Sequence, residues 1–297
     1  MNKNVVLFDM NNLAMRAVHI NGVKTVDPNT KTISDINWSY WKFIMFSNIY
    51  QSLYKVPTKT IVLAIDSRNS WRYTVWPRYK EARKKKNKEN KDLFPWETFY
   101  KEYDEFAIEL QEHFPIKVLQ IEGAEADDII GVISRQIDDP VEIISTDKDF
   151  LQLSCERVKI YNPLLKTHVS HPSPSMFLIE ECMMGQAKDS IFNIKTPLDW
   201  PDDKKKPGFG PSAFEKVMIY GVKKWLQDNN LSERFLFNKK LMDFSEIPQN
   251  LQNVIMADYT EYKYPDPSMM WEYVKKYEWP EVIDKFTQIE DKFLQLY

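Results

Sequence analysis

Carboxylates in this chain fall where apolar runs of strand length stop. Asp9 directly follows Val5-Val6-Leu7-Phe8, and Asp66 directly follows the run 61–65. Glu125, Asp127 and Asp128 come just after the run 116–121, beyond Glu122 and the turn residue Gly123. Asp147 and Asp149 follow 141–144 after Ser145-Thr146. If these runs pair in parallel, their C-terminal ends share one sheet edge, where open α/β folds build their sites. Two carboxylates ~4 Å apart repel by about 4 kcal/mol at an effective dielectric near 20. Several around one crevice therefore raise each other's pKa or recruit cations. An all-oxygen acid set without His or Cys at ligand spacing suits Mg²⁺ or Mn²⁺ rather than zinc. Its chemistry is metal-assisted phosphoryl transfer, with a lowered pKa for an attacking water and offset charge on the leaving oxygen. Taken singly, each aspartate reads as a helix N-cap or turn residue. Asp128 fits that reading well, because a helical pattern starts there.

A cationic stretch lies between the second and third runs. Arg72, Arg78, Lys80, Arg83, Lys84, Lys85, Lys86, Lys88 and Lys91 are opposed only by Glu81 and Glu89, with Trp71, Tyr73, Trp76 and Tyr79 interleaved at the front. The run 84–91 reads as a solvated face or mobile loop. In the front part, aromatics beside Arg and Lys suit stacking on bases and pairing with phosphates. An acidic floor under a cationic cover describes a phosphodiester site, with Lys80 or Arg83 offsetting charge on the scissile phosphate. Further on, Gly208-Phe209-Gly210-Pro211-Ser212 reads as a tight turn before a helix, with Ser212 and Glu215 as a capping box. Amides exposed there suit a phosphate, and Lys204-Lys205-Lys206 adds charge. His168 and His171 sit in a Pro/Ser-rich loop with no matching ligand pair, and no glycine fingerprint for a nucleotide cofactor is present.

The elements that must position these groups are legible as alternating patterns. Five apolar runs of strand length (5–8, 61–65, 116–121, 141–144 and 158–161) are separated by helix-period segments at 36–53, 99–110 and 129–137. The alternation implies a mostly parallel central sheet with helices on both faces. After about residue 180 the strand signal fades, so the expected division is an α/β core at 1–180 and a smaller helical domain at 181–297. At 43% apolar and 28% charged residues the chain is globular, and a formal charge of −3 excludes a polycation that grips nucleic acid by bulk charge alone. No apolar stretch approaches the ~20 residues of a membrane helix. The start of the chain offers no signal-peptide core, and two cysteines are too few for a disulfide framework; both point to the cytoplasm. Only seven glycines occur in 297 residues, so each is expected to answer a local backbone need, Gly123, Gly185, Gly208 and Gly210 above all.

Taken together, Phe8-Asp9 with Asn11-Asn12, Asp66 with Arg72 through Tyr79-Lys80 to Arg83, Glu125-Ala126-Asp127-Asp128, Ser145-Thr146-Asp147-Lys148-Asp149-Phe150, Gly185 with Asp189, and Gly208-Phe209-Gly210 resemble the 5′-nuclease (flap endonuclease) family. The resemblance covers nearly the whole chain; Leu241-Met242-Asp243-Phe244 with Ile247-Pro248 is similar to phage members. It implies a PIN-like nuclease core, a helical arch or flexible loop around 72–96, and a helix–three-turn–helix with a hairpin at 208–215. The implied activity is Mg²⁺-dependent 5′→3′ exonuclease and flap endonuclease action, including RNase H activity, that removes RNA primers or 5′ flaps during phage DNA replication. Asp9, Asp66, Glu125, Asp127, Asp147, Asp149 and Asp189 match the family's metal-holding acids, at two Mg²⁺ sites where Mn²⁺ can substitute. Asp127, Asp147 and Asp149 with Lys80 and Arg83 form the implied catalytic set, backed by Asp128 and Gln186. Arg72, Arg78, Tyr79, Lys80, Arg83, Lys84, Gly208, Gly210 and Ser212 match the nucleic-acid-binding positions, with K⁺ implied at the hairpin. Gln186 departs from the pattern: an Asp is expected there, so the second metal is expected to bind more weakly. The implied partners are duplex DNA or RNA–DNA with a 5′ end or flap, a single-strand-binding protein and a sliding clamp, with no membrane, and the protein is expected to be a monomer. Two rival readings remain: a single-strand ribonuclease of the related PIN-like class, which needs no hairpin, and a catalytically weakened structure-specific DNA-binding subunit, motivated by Gln186.

Overall fold

Successive residues of the first apolar run face opposite ways. Val6 and Phe8 join one buried cluster, Val5 and Leu7 another, as in a strand covered on both faces. The computed structural model describes residues 3–30, 32–89, 93–201 and 204–297. Their order is β1 (Asn4–Asp9), α1 (Met10–Val18), β2 (Lys24–Val26), β3 (Ile33–Ile36), α2 (Trp38–Lys55), β4 (Thr58–Ile65), α3 (Arg72–Val75), α4 (Glu81–Glu89), α5 (Trp96–His113), β5 (Ile116–Gln120) and α6 (Ala126–Gln136). Next come β6 (Val141–Ile144), β7 (Val158–Asn162), β8 (Thr167–Val169), α7 (Pro174–Met184), α8 (Pro211–Tyr220), α9 (Val222–Asp228), α10 (Ser232–Met242), α11 (Gln249–Glu261), α12 (Met269–Tyr277), α13 (Pro280–Ile283) and α14 (Phe286–Leu294).

The main sheet runs β5-β4-β1-β6-β7-β8. Its first five strands are parallel; β8 closes the edge antiparallel to β7. The five expected strands are all present. The β2–β3 hairpin and β8 carry no sequence signal, being three or four residues long without an apolar run. Because β1 lies at the centre, paired with both β4 and β6, the carboxyl ends of three neighbouring strands meet around Asp9. Trp41, Phe46, Phe106 and Phe114 from and around α2 and α5 cover one face, and α6 covers the other with Ile129, Ile130 and Ile133.

The stretch 181–297, expected as a helical domain of its own, is divided by its packing. Met183, Ile194, Phe209, Phe214, Val217 and Leu226 form a separate cluster. Cys182, Ile191, Phe192, Leu241 and Met242 pack with Trp76 and Tyr79. From Phe244 onward the chain returns to the sheet: Phe244, Ile247, Leu251 and Ile255 pack with α6, while Tyr273, Trp279 and Phe293 join the layer over the opposite face. Among the described residues no helix is long and apolar enough to cross a membrane.

Arg72 ties these parts together. Its guanidinium is 2 % exposed, lies over the Trp71 ring, and donates from Nε to the Leu241 carbonyl at 2.8 Å. It reaches Asp128 through both terminal nitrogens, at 2.9 and 2.8 Å, and Glu125 at 3.2 Å. Asp128 is fully buried, so deleting the cation strands a charge, which costs about 3–5 kcal/mol. Arg72→Met is therefore expected to lower the unfolding free energy in urea by about that amount, and Arg72→Met with Asp128→Leu to recover part of it.

Candidate active site

Where a parallel strand gives way to a helix, the first helical N–H groups lack partners and a short acid satisfies them. This places the acids of the chain. Asp9 ends β1 and caps α1: one oxygen accepts the Asn12 N–H at 3.0 Å, the other the Ser145 hydroxyl at 3.0 Å. Asp66, just past β4, accepts the Ala126 N–H at 2.7 Å and an Asn11 amide hydrogen. Asp147, past β6, accepts the Asp149 N–H at 3.0 Å. Glu125 caps α6, and Asp127 lies in its first turn. Asp189 is delivered by a turn after α7. The capping reading and the shared-edge reading therefore hold together: Asp9, Asp66, Glu125, Asp127, Asp147, Asp149 and Asp189 line one crevice of about 490 Å³. Asp128 does not start the helix. It sits three residues past the cap, accepts the Glu125 N–H at 2.9 Å and faces Arg72 instead of the crevice.

The acids are met by the chain's own donors. Lys80 pairs with Glu125, whose other oxygen accepts the Tyr79 hydroxyl at 2.8 Å. Lys80 holds a left-handed backbone (φ 56°), pinned by its N–H to the Asp189 carbonyl at 2.9 Å. Arg83 reaches Asp189 at 2.8 Å. Lys188 lies 3.0 Å from Asp147 and 3.2 Å from Asp149. Gln186, expected to offer a carbonyl oxygen, instead donates its amide to Asp149 at 2.6 Å. Most of these oxygens are turned to local donors, and no group of three or more Asp, Glu, His or Cys side chains among the described residues is gathered as a ready-made metal cage.

Compensation is uneven. Burial pushes Asp9 up to about 6, against the Asn12 N–H and with the charge of Asp66 adding to it. Burial and then the Asp147 charge push Asp149 up to about 6, only partly offset by Lys188. Burial also raises Asp66 and, more strongly, Asp127, where the Arg72 charge opposes the shift and Asp128 and Glu125 add to it; its Oδ1 has no hydrogen-bond partner. Glu125 and Asp147 fall below the usual range despite burial, held down by Lys80 and Arg72 in the first case and by Lys188 and the Asp149 N–H in the second. Part of the crevice therefore carries charge that the protein leaves poorly satisfied.

Several expected nucleic-acid contacts are corrected. Arg72 and Tyr79 are buried, and so are Trp71 and Trp76; these groups make the joint between the sheet edge and the α7–α10 segment and leave no ring face for a base. Arg78 is half-buried over Trp76 and paired with Glu81 at 2.8 Å. Lys84 is exposed, 4.0 Å from the Tyr73 ring centre. Lys91 lies outside the described residues. Gly208 and Gly210 form no left-handed turn: Gly210 is extended (φ −134°, ψ −173°) and itself caps α8, so Ser212 is inside the helix and makes no capping box with Glu215. A Cβ at either glycine would meet open space, which leaves a bare backbone strip beside exposed Lys204, Lys205 and Lys206. Gly185 is the demanding position: φ is +70°, and a Cβ would lie 2.5 Å from the Ile191 carbonyl. His168 pairs with Glu142 away from the crevice. Sequence reasoning gave no role to Lys188, and none to Glu181, which is buried and takes Lys148 at 2.7 Å. The only signal for Lys188 was its place beside Asp189.

Because the folded-state pKa of Asp9 lies above its ordinary value of 3.8, its favourable contribution is complete below about 3.8 and lost as pH rises through about 6. Asp9→Asn is therefore expected to raise the melting temperature at pH 8 and leave it nearly unchanged at pH 4, as scanning calorimetry in the absence of divalent ions would record.

Residues 4–181 match the family model of the 5′-3′ exonuclease N-terminal, resolvase-like domain, and 172–289 match that of the phage T4 RNase H C-terminal region. Ribonuclease H of enterobacteria phage T4 is 28% identical over 257 residues, spanning 81% of this chain and 84% of that one. Flap endonuclease Xni of Aeromonas hydrophila is 30% identical over 172 residues, 56% of this chain and 58% of the relative. The bacteriophage T5 flap endonuclease, solved with DNA and metal ions, superposes with a TM-score of 0.64 at 21% identity over 88% of this chain and 99% of its own. The T5 5′-exonuclease solved with zinc superposes at 0.63 and 19% identity over the same shares, which shows a common fold. With well over half of its length matching one family model, this chain belongs to the 5′-3′ exonuclease family and is a nuclease, a hydrolase of phosphodiester bonds.

Proposed function

We propose that this nuclease is a Mg²⁺-dependent 5′→3′ exonuclease and flap endonuclease that removes RNA primers or 5′ flaps from duplex ends during phage DNA replication in a host cytoplasm. One observation carries the reading: seven carboxylates from separate chain segments converge on a crevice whose rim bears Lys80, Arg83 and Lys188. The donor set suits a hard divalent ion. It is all oxygen, it includes the Asp127 Oδ1 that accepts no hydrogen bond, and Asp9 and Asp149 are carboxylates whose charge the protein itself leaves poorly satisfied. Asp9, Asp66, Glu125 and Asp127 are the residues to hold a first ion, and Asp147 stands with Asp149 at the second. Together with Asp189 and Gln186 they would hold it more weakly, since Gln186 brings an amide where a carboxylate is expected. Such ions lower the pKa of an attacking water and offset charge on the leaving oxygen.

The chain's own residues do the rest. Lys80 and Arg83 hang over the crevice on short ion pairs and would exchange these for the oxygens of the scissile phosphate. Exposed Lys84, Lys85, Lys86 and Lys88 on α4 offer a track for the backbone of the departing strand. The bare strip at Gly208 and Gly210, with Lys204 to Lys206, is suited to the duplex backbone, and its residues would hold a K⁺ ion that offsets phosphate charge. A single-strand-binding protein and a sliding clamp are the partners that the family resemblance implies for this role.

The test is a Mg²⁺ titration of cleavage on a 5′-labelled flap bearing an RNA end, beside a nicked duplex and unpaired RNA. Cleavage of flap and duplex ends is expected. Preference for unpaired RNA would favour a single-strand ribonuclease instead. Asp147→Asn is expected to lower turnover by at least about 10³-fold while leaving flap binding within threefold by fluorescence anisotropy; unchanged turnover refutes the assignment. In thermal scans, Mg²⁺ is expected to raise the melting temperature more at pH 7.5 than at pH 5.5, because Asp9 and Asp149 become free to take a cation only above about 6.

A further inference from the structure

The turn after α7 delivers two nitrogen donors to one pair of acids. Lys188 Nζ lies 3.0 and 3.3 Å from the two oxygens of Asp147 and 3.2 Å from Asp149 Oδ2, while Gln186 Nε2 takes Asp149 Oδ1 at 2.6 Å. Both carboxylates are therefore met on both oxygens by side chains three residues apart or less.

The turn that presents them is firmly held. Gly185 adopts a left-handed conformation against the Ile191 carbonyl, and Gln186 exchanges both backbone hydrogen bonds with Ile191, at 2.8 and 3.0 Å. Ser190 also has positive φ, and its hydroxyl accepts the Ala82 N–H at 2.9 Å. Asp189 is buried, and its carbonyl fixes Lys80. Lys188 itself remains 42% exposed at its side chain, so its ammonium can leave the acids for water without disturbing the turn. Its position is that of a tethered cation with a high effective concentration at a site where a divalent ion must shed water to bind.

We propose that Lys188 is a built-in counter-ion for the Asp147–Asp149 pair. It occupies the subsite of a second divalent ion, so that this nuclease holds one divalent ion tightly and a second only by displacing the lysine. The inference rests on the divalent-ion reading of the crevice.

The test is direct binding of Mn²⁺ by isothermal titration calorimetry and electron paramagnetic resonance, on the full chain without nucleic acid at pH 7.5. Wild type is expected to bind one ion tightly and a second at least tenfold more weakly. Lys188→Met and Lys188→Gln are each expected to tighten the second site by tenfold or more without weakening the first, and Lys188→Arg to leave the wild-type profile. Adding Gln186→Asp to Lys188→Met is expected to bring the two sites closer still. Thermal melts of each variant verify that it is folded, and two different replacements guard against one that is not. A second dissociation constant within twofold of wild type in both neutral variants overturns the proposal. Two equally tight ions on wild type would also overturn it while leaving the divalent-ion reading intact. Absence of any Mn²⁺ binding in wild type and variants would remove that reading and this one with it.

Discussion

Mutual repulsion among carboxylates is the constraint around which the rest of this molecule is organised. A parallel sheet with β1 at its centre brings the ends of β4, β1 and β6 to adjacent positions, and each is followed by an acid that satisfies helix or turn N–H groups, Asp9 at α1, Asp66 at the start of α6 and Asp147 at the turn after β6. Local structure thus demands the acids one at a time, and topology collects them. Capping hydrogen bonds are too few to satisfy so much charge in a half-closed crevice. Basic side chains from two remote segments, α4 with its approach and the turn after α7, fold over it. The catalytic potential of the site and its electrostatic cost are one property.

The relief is selective, which gives the acids different characters. Behind the crevice, Arg72 stands between Glu125 and Asp128 and anchors on the Leu241 carbonyl. Together with Lys80 it keeps Glu125 ionised, while Asp127, one residue from Asp128, is left with an oxygen that accepts no hydrogen bond. The same division recurs at the opposite wall, where Lys188 favours Asp147 over Asp149. Two buried or tethered cations thereby set which carboxylates stand ready to take a ligand.

The layers and the acid edge were legible because they derive from periodicity: a strand buried on both faces is a continuous apolar run, and the residue just past its end sits at the sheet edge. Arg72 and Tyr79 were misread for a physical reason. Cations alternating with aromatics suit base stacking and a buried cation–π joint equally well, and the groups that decided the outcome, Leu241, Ile191 and Phe192, lie over a hundred residues away. The Ser212 cap failed because Gly210 and Pro211 already supply an N-cap and first helical residue, which leaves Ser212 two positions past the cap. Scarcity of glycine pointed to positions of need, and of the four singled out need was conformational at Gly123 and Gly185; at Gly208 and Gly210 no side chain would be crowded, while Gly22 and Gly221, passed over, hold positive φ. The return of the chain to the sheet after residue 243 had no local signal, since amphipathic helices do not say which surface they will cover.

That return bears on how the segment between α7 and Phe244 can move. A helical appendage joined by a single linker swings about one point and samples a cone of orientations. Here the excursion leaves the layered body and re-enters it, and both of its ends pack on that body, around Trp76 and Tyr79 and then through Phe244. Its freedom is that of a bracket bolted at both feet: flexing between the bolts is available, free rotation is not. A double helix lying along it would thus meet the acidic edge at a nearly constant height and angle, with the ruler for that alignment cast into the connectivity of the chain.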